Sequence, residues 1–528
     1  MKKRLSPTSP AGPAQRFQSL LPYFTALVVA VLYGLFHLHY MQQFLDYDMI
    51  VYVNNIQGAL RPNRLAMMNP HHLHFETTGV WLHRWVTEDL AHLGLTNLAF
   101  IERLRALFFA CLGIYFYVLF MRNTTGRLIW GVIGAVIIGM GHGYLHYATK
   151  VDTPIYPAAI ICVILWLVSA LEKSRRGTIL LAIFGGVLLW FSVMLHQYMG
   201  IAAFFICVAI VLPPWMFPRR KLFAGFSVRK PDKAQPDAPE IEKRPGIRWA
   251  SGFGMAIIGL VLIAGSYFYS GRVAYNLTFG PEPWAFGRGP LSGNTFQSWL
   301  FLYEQVDAWG YGFEEFDPQR PLQGYTEGWL SPEYPRNRYA WVRNWLYNAD
   351  EPFDARAFAH NQLAYFTLFV IAASVLLAPL MWMRYKRTYV FAMLTGITFI
   401  GLGVYWEPHY FEFWIVPAIF VATIGIMLLN LLGEALAKLI RARRRPTEFL
   451  AQVPVIAYAV VLMLAVFGHN LRQYVVPFSR VQTLESRPRW DDRLVFPHFA
   501  EEVYRVPGNV YRDIYDTVPG SIFPEGRR

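Results

Sequence analysis

Apolar residues fall in long runs along this chain, separated by short polar segments. A hydrocarbon layer about 30 Å thick needs roughly 20 apolar residues in helical form. Stretches of that order lie at 20–38, 98–121, 128–147, 154–172, 177–195, 198–216, 250–271, 362–383, 388–404, 411–432 and 450–469. Residues 70–90 break the pattern. His71-His72-Leu73-His74-Phe75-Glu76, Arg84 and Glu88-Asp89 make this segment too polar to cross, so it is expected as a helix lying on the outer interface. The pattern predicts an all-α polytopic membrane protein of about 11 transmembrane helices, within a range of about 10 to 13.

The same pattern divides the chain. A cytoplasmic tail (1–19) precedes an N-terminal transmembrane module (20–271), whose first outer loop spans 39–97. An extracytoplasmic loop domain (272–358) and a C-terminal transmembrane module (359–469) follow. The tail 470–528 is expected as an outer cap, and the Pro- and Lys-rich stretch 218–248 as a cytoplasmic linker.

Composition agrees. Of 528 residues, 55% are hydrophobic and 16% charged, against roughly 25% charged in an ordinary soluble domain. This excludes a disordered chain and fits a soluble enzyme poorly. The net charge of +13 sorts by side rather than marking nucleic acid. With Met1-Lys2-Lys3-Arg4 inside, the inner segments 122–127, 173–176, 218–248, 384–387 and 441–445 are all basic, as the positive-inside rule requires. The expected location is a bacterial cytoplasmic membrane, with the N-terminus inside and the site outside. The three cysteines lie in apolar runs and form no CxxC pair.

Ionisable residues at span ends are candidates for function, and here they gather on the outer side. They are Asp46 and Asp48, the His71/His72/Glu76 group, the run His146 to Asp152 with Lys150, the tip His196-Gln197-Tyr198, and the turn Tyr405 to Glu412 with Trp406, Glu407 and His409. Each also has an ordinary explanation. Asp46 and Asp48 suit a solvated loop, and they diverge on a helix at about 100° per residue. Lys150 can snorkel, pair with Asp152 or hold a phosphate. Arg272 can anchor its span, and the 405–412 turn suits an aromatic belt as well as a sugar. His72, Glu76, Gly79 and His83 share one helical stripe. His and Glu at i,i+4 can bind Zn, but the HExxH pattern is missing and no third ligand is evident, so no metal site is assigned.

The arrangement resembles the GT-C superfamily of polytopic glycosyltransferases. The likeness rests on the span number, an acidic motif after the first span (Asp46-Tyr47-Asp48) followed by an interfacial helix, two apolar runs meeting at His196, and a late outer polar-aromatic turn. The resemblance implies transfer of a sugar from a polyprenyl-phosphate donor to an acceptor hydroxyl at the extracytoplasmic face, with inversion. It casts Asp46 as general base, with Asp48 positioning the loop or holding a divalent cation (Mg or Mn), which some members use and others do not. Lys150, His196, Arg272 and His72 become candidates for the donor phosphate. His71, Glu76, Asp152, Tyr198, Trp406, Glu407 and His409 become candidates for substrate binding. The implied partners are the polyprenyl-phosphate-linked sugar, a lipid, glycan or protein acceptor, and membrane lipids, with no nucleic acid. A transporter or flippase, a polysaccharide polymerase or ligase, and a membrane metallohydrolase are the competing readings.

Overall fold

A computed structural model describes residues 13–41, 47–60, 73–93, 98–171, 178–212, 245–279, 319–330, 370–406, 411–443, 448–471 and 475. Among these residues the chain is an all-helical membrane protein. Its helices are α1 (Pro13–His39), α2 (Tyr47–Leu60), α3 (Leu73–Arg84), α4 (Leu98–Thr125), α5 (Leu128–Met140), α6 (His142–Tyr147), α7 (Ile155–Leu171), α8 (Thr178–Leu195), α9 (Gly200–Val211), α10 (Pro245–Phe279), α11 (Gln319–Trp329), α12 (Ala378–Tyr405), α13 (Ile415–Arg443) and α14 (Glu448–Asn470).

Six helices are long and apolar enough to cross a bilayer, and four apolar helices are shorter: Leu128–Met140, Ile155–Leu167, Ala182–Leu195 and Gln197–Val211. Burial separates an inner from an outer set. The apolar window of α13 is 78% buried, whereas that of α14 is only 17% buried. Along α1 a stripe through Pro22, Ala26, Ala30, Tyr33 and His37 is buried against protein, while Phe24, Leu27, Val31 and Leu35 are exposed. An apolar face that finds no protein partner in so long a helix requires hydrocarbon rather than water as its solvent.

α4 lies at the centre, against α1, α5 and α7. Small residues set these distances. A Cβ on Gly131 of α5 would sit 2.5 Å from the Val118 carbonyl oxygen of α4. On the other flank α8 packs against α10, where a Cβ on Gly186 would meet Ile258 at 2.7 Å. Buried hydroxyls tie the inner helices across the interfaces, as expected where water is excluded. Tyr117 and Thr423 lie 3.0 Å apart, and Tyr385 donates to the Met427 carbonyl at 2.7 Å.

Three elements differ from the sequence expectation. The 128–147 stretch is two helices, because the backbone is extended at Gly141 (φ −61, ψ 137) between α5 and α6. Residues 70–90 do not form one surface helix. α3 is followed by a π-helical turn (Trp85–Asp89) and a 3-10 turn (Ala91–Leu93), and it buries Leu73, Phe75, Glu76, Gly79 and Val80 against the bundle. Only its opposite face, with Trp81 78% exposed and Trp85 52% exposed, is turned outward. The basic run 384–387 is not an open loop. It lies inside α12, where Lys386 alone leaves helical geometry (φ 50, ψ −127).

Two bundle ends result. At one end Arg384 reaches the Thr125 carbonyl at 3.5 Å and Arg387 the Leu212 carbonyl at 3.3 Å. At the other meet the C-terminal ends of α5, α8, α12 and α14 and the N-terminal ends of α4, α7, α9 and α13. There Asn470 donates to the carbonyls of Met140 at 2.6 Å and Trp329 at 2.8 Å. It thereby satisfies the end of α5 and pins α11, a piece of the long 272–358 segment, to the bundle.

Candidate functional site

The polar layer at this second end forms two groups. The first is built on the turn between α6 and α7. Lys150 Nζ lies 2.7 Å from Asp152 Oδ2, and both side chains are about 4% exposed or less. Asp152 also accepts from the Thr153 amide at 2.6 Å, and Lys150 sits 4.4 Å from the Tyr147 ring centroid. A lysine charge buried this deeply is held by its carboxylate and by the negative face of the ring. The Tyr147 hydroxyl then donates to Glu412 Oε2 at 2.9 Å, bringing in the turn Phe411–Trp414 before α13. Glu412 acts electrostatically on Tyr198. Tyr198 packs against His196 with ring centroids 4.1 Å apart, and against Phe399 of α12 at 5.4 Å. Gln197 donates to the Tyr267 hydroxyl at 2.9 Å, linking this tip to α10.

Over the first group lies α11. His142 Nδ1 is 2.6 Å from the Glu327 carbonyl, the Tyr325 ring lies 5.8 Å from that of Trp414, and Glu327 itself is buried.

The second group joins α3 to α4 and α7 through one guanidinium. Arg105 pairs with Glu102 at 2.5 Å and donates to the Tyr156 hydroxyl at 3.1 Å. It also donates to the Phe75 carbonyl at 2.8 Å and to Thr78 Oγ1 at 2.7 Å, and lies over the Phe75 ring at 4.5 Å. Beside this fork is Glu76, wholly buried. Burial pushes its carboxyl up to about 8, helped by the Glu102 charge and opposed by the Asn55 side chain and Arg105. Burial lowers His74 to about 4, so its imidazole is neutral at physiological pH, and burial also lowers His83, against the Glu88 charge. The Tyr156 hydroxyl feels Asp152 as well as Arg105, and so couples the two groups.

Of the residues singled out in the sequence, Lys150, Asp152, His196 and Tyr198 thus belong to the first group and Glu76 to the second. Arg272 is half-buried in α10, and Trp406, also half-buried, ends α12 with its amide on the Leu402 carbonyl at 2.9 Å. Asp48 is the second residue of α2. Asp46, His71, His72, Glu407 and His409 lie outside the described residues. Among the described residues no group of three or more His, Cys, Asp or Glu side chains is arranged to hold a metal ion.

The sequence reading passed over Tyr147 and Glu412 as site residues, and over Glu102, Arg105 and Tyr156 altogether. A signal for the last three was present. Glu102-Arg103-Leu104-Arg105 puts three charges inside an otherwise apolar stretch, where a charge needs a partner. Glu102 and Arg105 are spaced i,i+3, which allows them to pair on one helix. Nothing in the sequence paired Tyr147 with Glu412.

No protein-family model matches the chain, and no curated protein matches it in sequence. Solved structures resemble it in shape. The Archaeoglobus fulgidus oligosaccharyltransferase AglB, in complex with an inhibitory peptide and a dolichol-phosphate, aligns at 13% identity and TM-score 0.47, over 94% of this chain and 59% of that one. Its apo form aligns at 13% identity and TM-score 0.48, over 95% and 60%. The form tethered to an acceptor peptide with the NVT sequon gives 14% identity and TM-score 0.46, over 87% and 55%. The chain therefore spans less than two thirds of the length of these structures.

Proposed function

We propose that this chain is a membrane glycosyltransferase of the GT-C type, moving a sugar from a polyprenyl-phosphate donor to an acceptor hydroxyl at the extracytoplasmic face. One observation carries the reading. Three segments far apart in sequence deliver Tyr147, Lys150 and Asp152, then His196 with Tyr198, then Glu412 to a single layer at one end of an apolar bundle, beneath α11. A polyprenyl donor has its tail in hydrocarbon and its charged phosphate and sugar at the interface, so its reacting atoms lie in such a layer. A polar layer gathered at the end of the bundle suits chemistry at one surface better than passage through the bilayer.

In this reading a carboxylate of the Asp46–Asp48 motif accepts the proton of the acceptor hydroxyl as that oxygen attacks the anomeric carbon. The bond to the lipid phosphate breaks with inversion, and the phosphate leaves carrying the electron pair. Cationic donors aimed at that phosphate stabilise the charge it gains. Lys150, His196, Arg272 and His72 are assigned that role. Lys150 is already paired with Asp152, so the arriving phosphate competes with a carboxylate for it, which favours release of the spent lipid phosphate. Glu76, Asp152, Tyr198, Trp406, His71, Glu407 and His409 are assigned to the substrates.

The test is transfer of labelled sugar from synthetic polyprenyl-phosphate donors in proteoliposomes, with Asp46→Asn and Asp48→Asn beside wild type. Loss of the base should lower the rate by at least about 100-fold in one of the two. Wild-type transfer in both would remove the motif from the chemistry. A wild-type protein that transfers no sugar but carries a solute or lipid across the vesicle wall would replace the proposal by transport.

A further inference from the structure

We propose that Glu76 is carried as a neutral carboxylic acid, and that its proton seats helix α2, with Asp48 near its N-terminal end, on the rest of the bundle.

Glu76 and Glu102 are both wholly buried, and both face a single guanidinium, that of Arg105. Glu102 takes that charge directly at 2.5 Å. The other donors of Arg105 go to Tyr156, the Phe75 carbonyl and Thr78. The hydrogen-bonding groups that meet Glu76 are neutral, its own backbone amide and the Asn55 side chain of α2. α8, which also packs on α3, brings Trp190 and Phe191 against His74, and neither is charged. Among the described residues a second carboxylate in this enclosure has only a share of the Arg105 charge already taken by Glu102, and burying such a charge is far more costly than burying a proton-bearing acid.

The acid lies where it controls α2. Asn55 and Ile56 are neighbours on that helix, and both meet α3. A Cβ on Gly79 would sit 2.6 Å from Ile56 Cδ1 and 3.1 Å from Glu102 Oε1, so the glycine lets α2 and the Glu102 carboxylate close on the same turn that carries Glu76. α3 is itself fixed to α4 and α7 by Arg105. Ionising Glu76 adds a negative charge where α2, α3 and α4 converge; Arg105 ties α3 to α4 and α7, whereas α2 meets this turn through Asn55 and Ile56. Opening the α2–α3 contact admits water to the new charge. A proton on Glu76 thus favours the seated helix, and its loss favours release. The consequence for sugar transfer rests on the function proposed above; the proton and the seat do not.

Both are measured without substrate, on the whole protein in nanodiscs. Infrared difference spectra between about pH 6 and about pH 10 should contain the carbonyl band of a protonated carboxylic acid that disappears at the alkaline end and is absent in Glu76→Gln. Hydrogen exchange across 47–60, corrected for intrinsic rates, should accelerate by up to about 10-fold for each pH unit as pH rises from the ordinary carboxylate range to the midpoint of that band, and level off above it. In Glu76→Gln, which mimics the neutral acid, the corrected exchange should stay slow at every pH. In Glu102→Gln the Arg105 charge passes to Glu76, and the midpoint should fall. Absence of the band, or its survival in Glu76→Gln, overturns the protonation. A band that titrates while exchange in 47–60 stays constant overturns the seat. A Glu76→Gln protein that fails to fold overturns the proposal too, since the neutral side chain would then not be the native form. Sugar transfer failing in every preparation would leave these results standing.

Discussion

The Tyr147 hydroxyl donates to Glu412 Oε2 across 2.9 Å, joining residues 265 positions apart in sequence. The face of the same ring lies 4.4 Å from Lys150 Nζ. One side chain therefore serves the Glu412 carboxylate with its edge and the Lys150 ammonium with its face.

This double role can be taken apart by substitution. Tyr147→Phe keeps the ring beneath Lys150 and removes the hydroxyl, so Glu412 loses a hydrogen bond; a bond to a charged group contributes about 1.5–3 kcal/mol, and the partial exposure of Glu412 puts the cost near the lower figure. Tyr147→Ala removes the ring as well and adds the loss of a buried aromatic, about 3–5 kcal/mol. Thermal unfolding in detergent should order the proteins wild type, Tyr147→Phe, Tyr147→Ala. Equal melting temperatures for the two variants would mean that the ring face does not hold Lys150.

The Lys150–Asp152 pair should respond unequally to single and double substitution. Lys150→Met takes the ammonium away from the buried Asp152 carboxylate, which still accepts from the Thr153 amide, and breaking a buried pair costs about 3–5 kcal/mol. Replacing both, Lys150→Met with Asp152→Leu, removes the buried carboxylate charge as well and should cost less than the single change. A double-mutant cycle on unfolding free energy checks this, and simple additivity of the two losses would contradict it.

Much of this layer was legible in the sequence, because helical spans of known length bring every second loop to the same side. The span pattern alone gathers Lys150, Asp152, His196, Tyr198 and Glu76 at one end. Their partners are not in that pattern. Hydropathy reports how far a segment lies from water, not which side chain it meets. Glu102 and Arg105 disappeared into the average of a long apolar stretch, and Tyr147 read as one more interfacial aromatic. Helix breaks were equally silent. Nothing in the runs 128–147 or 384–387 separates a loop from a helix interrupted at one residue, since packing rather than propensity decides the interruption at Gly141 and Lys386.

The raised Glu76 carboxyl makes a further prediction about stability. Its value is about 8 in the folded protein against an ordinary 4.5. The folded state then holds a proton that the unfolded chain has lost, so stability falls as pH rises between these values. This contribution is complete below about pH 4.5 and gone above about pH 8. Other groups titrate in the same range, so the quantity to follow is the difference between wild type and Glu76→Gln. That difference in melting temperature should be nearly flat at acid pH and widen, with wild type less stable, as pH rises to about 8. A difference independent of pH would show that Glu76 titrates as an ordinary surface carboxylate.

Lys386 offers the clearest test of backbone strain. It combines φ 50 with ψ −127 inside α12, a positive-φ conformation that side chains with a Cβ rarely adopt and glycine accepts without cost. Its neighbours hold the break in place. Arg384 forks onto Glu434 at 2.7 and 3.1 Å, Tyr385 accepts from Asn430 at 2.9 Å, and Arg387 bonds the Leu212 carbonyl. Strain of this kind amounts to about 1–3 kcal/mol when the surroundings over-determine the conformation. Lys386→Gly should recover part of it, and the larger backbone entropy that glycine brings to the unfolded chain takes back roughly 0.5–1 kcal/mol. The expected outcome is a small net gain in unfolding free energy. Lys386→Ala keeps a Cβ and should gain nothing, which separates relief of strain from the loss of a lysine charge. If alanine and glycine were equivalent at this position, the break would owe nothing to the backbone, and the cation itself would be the reason a lysine stands there.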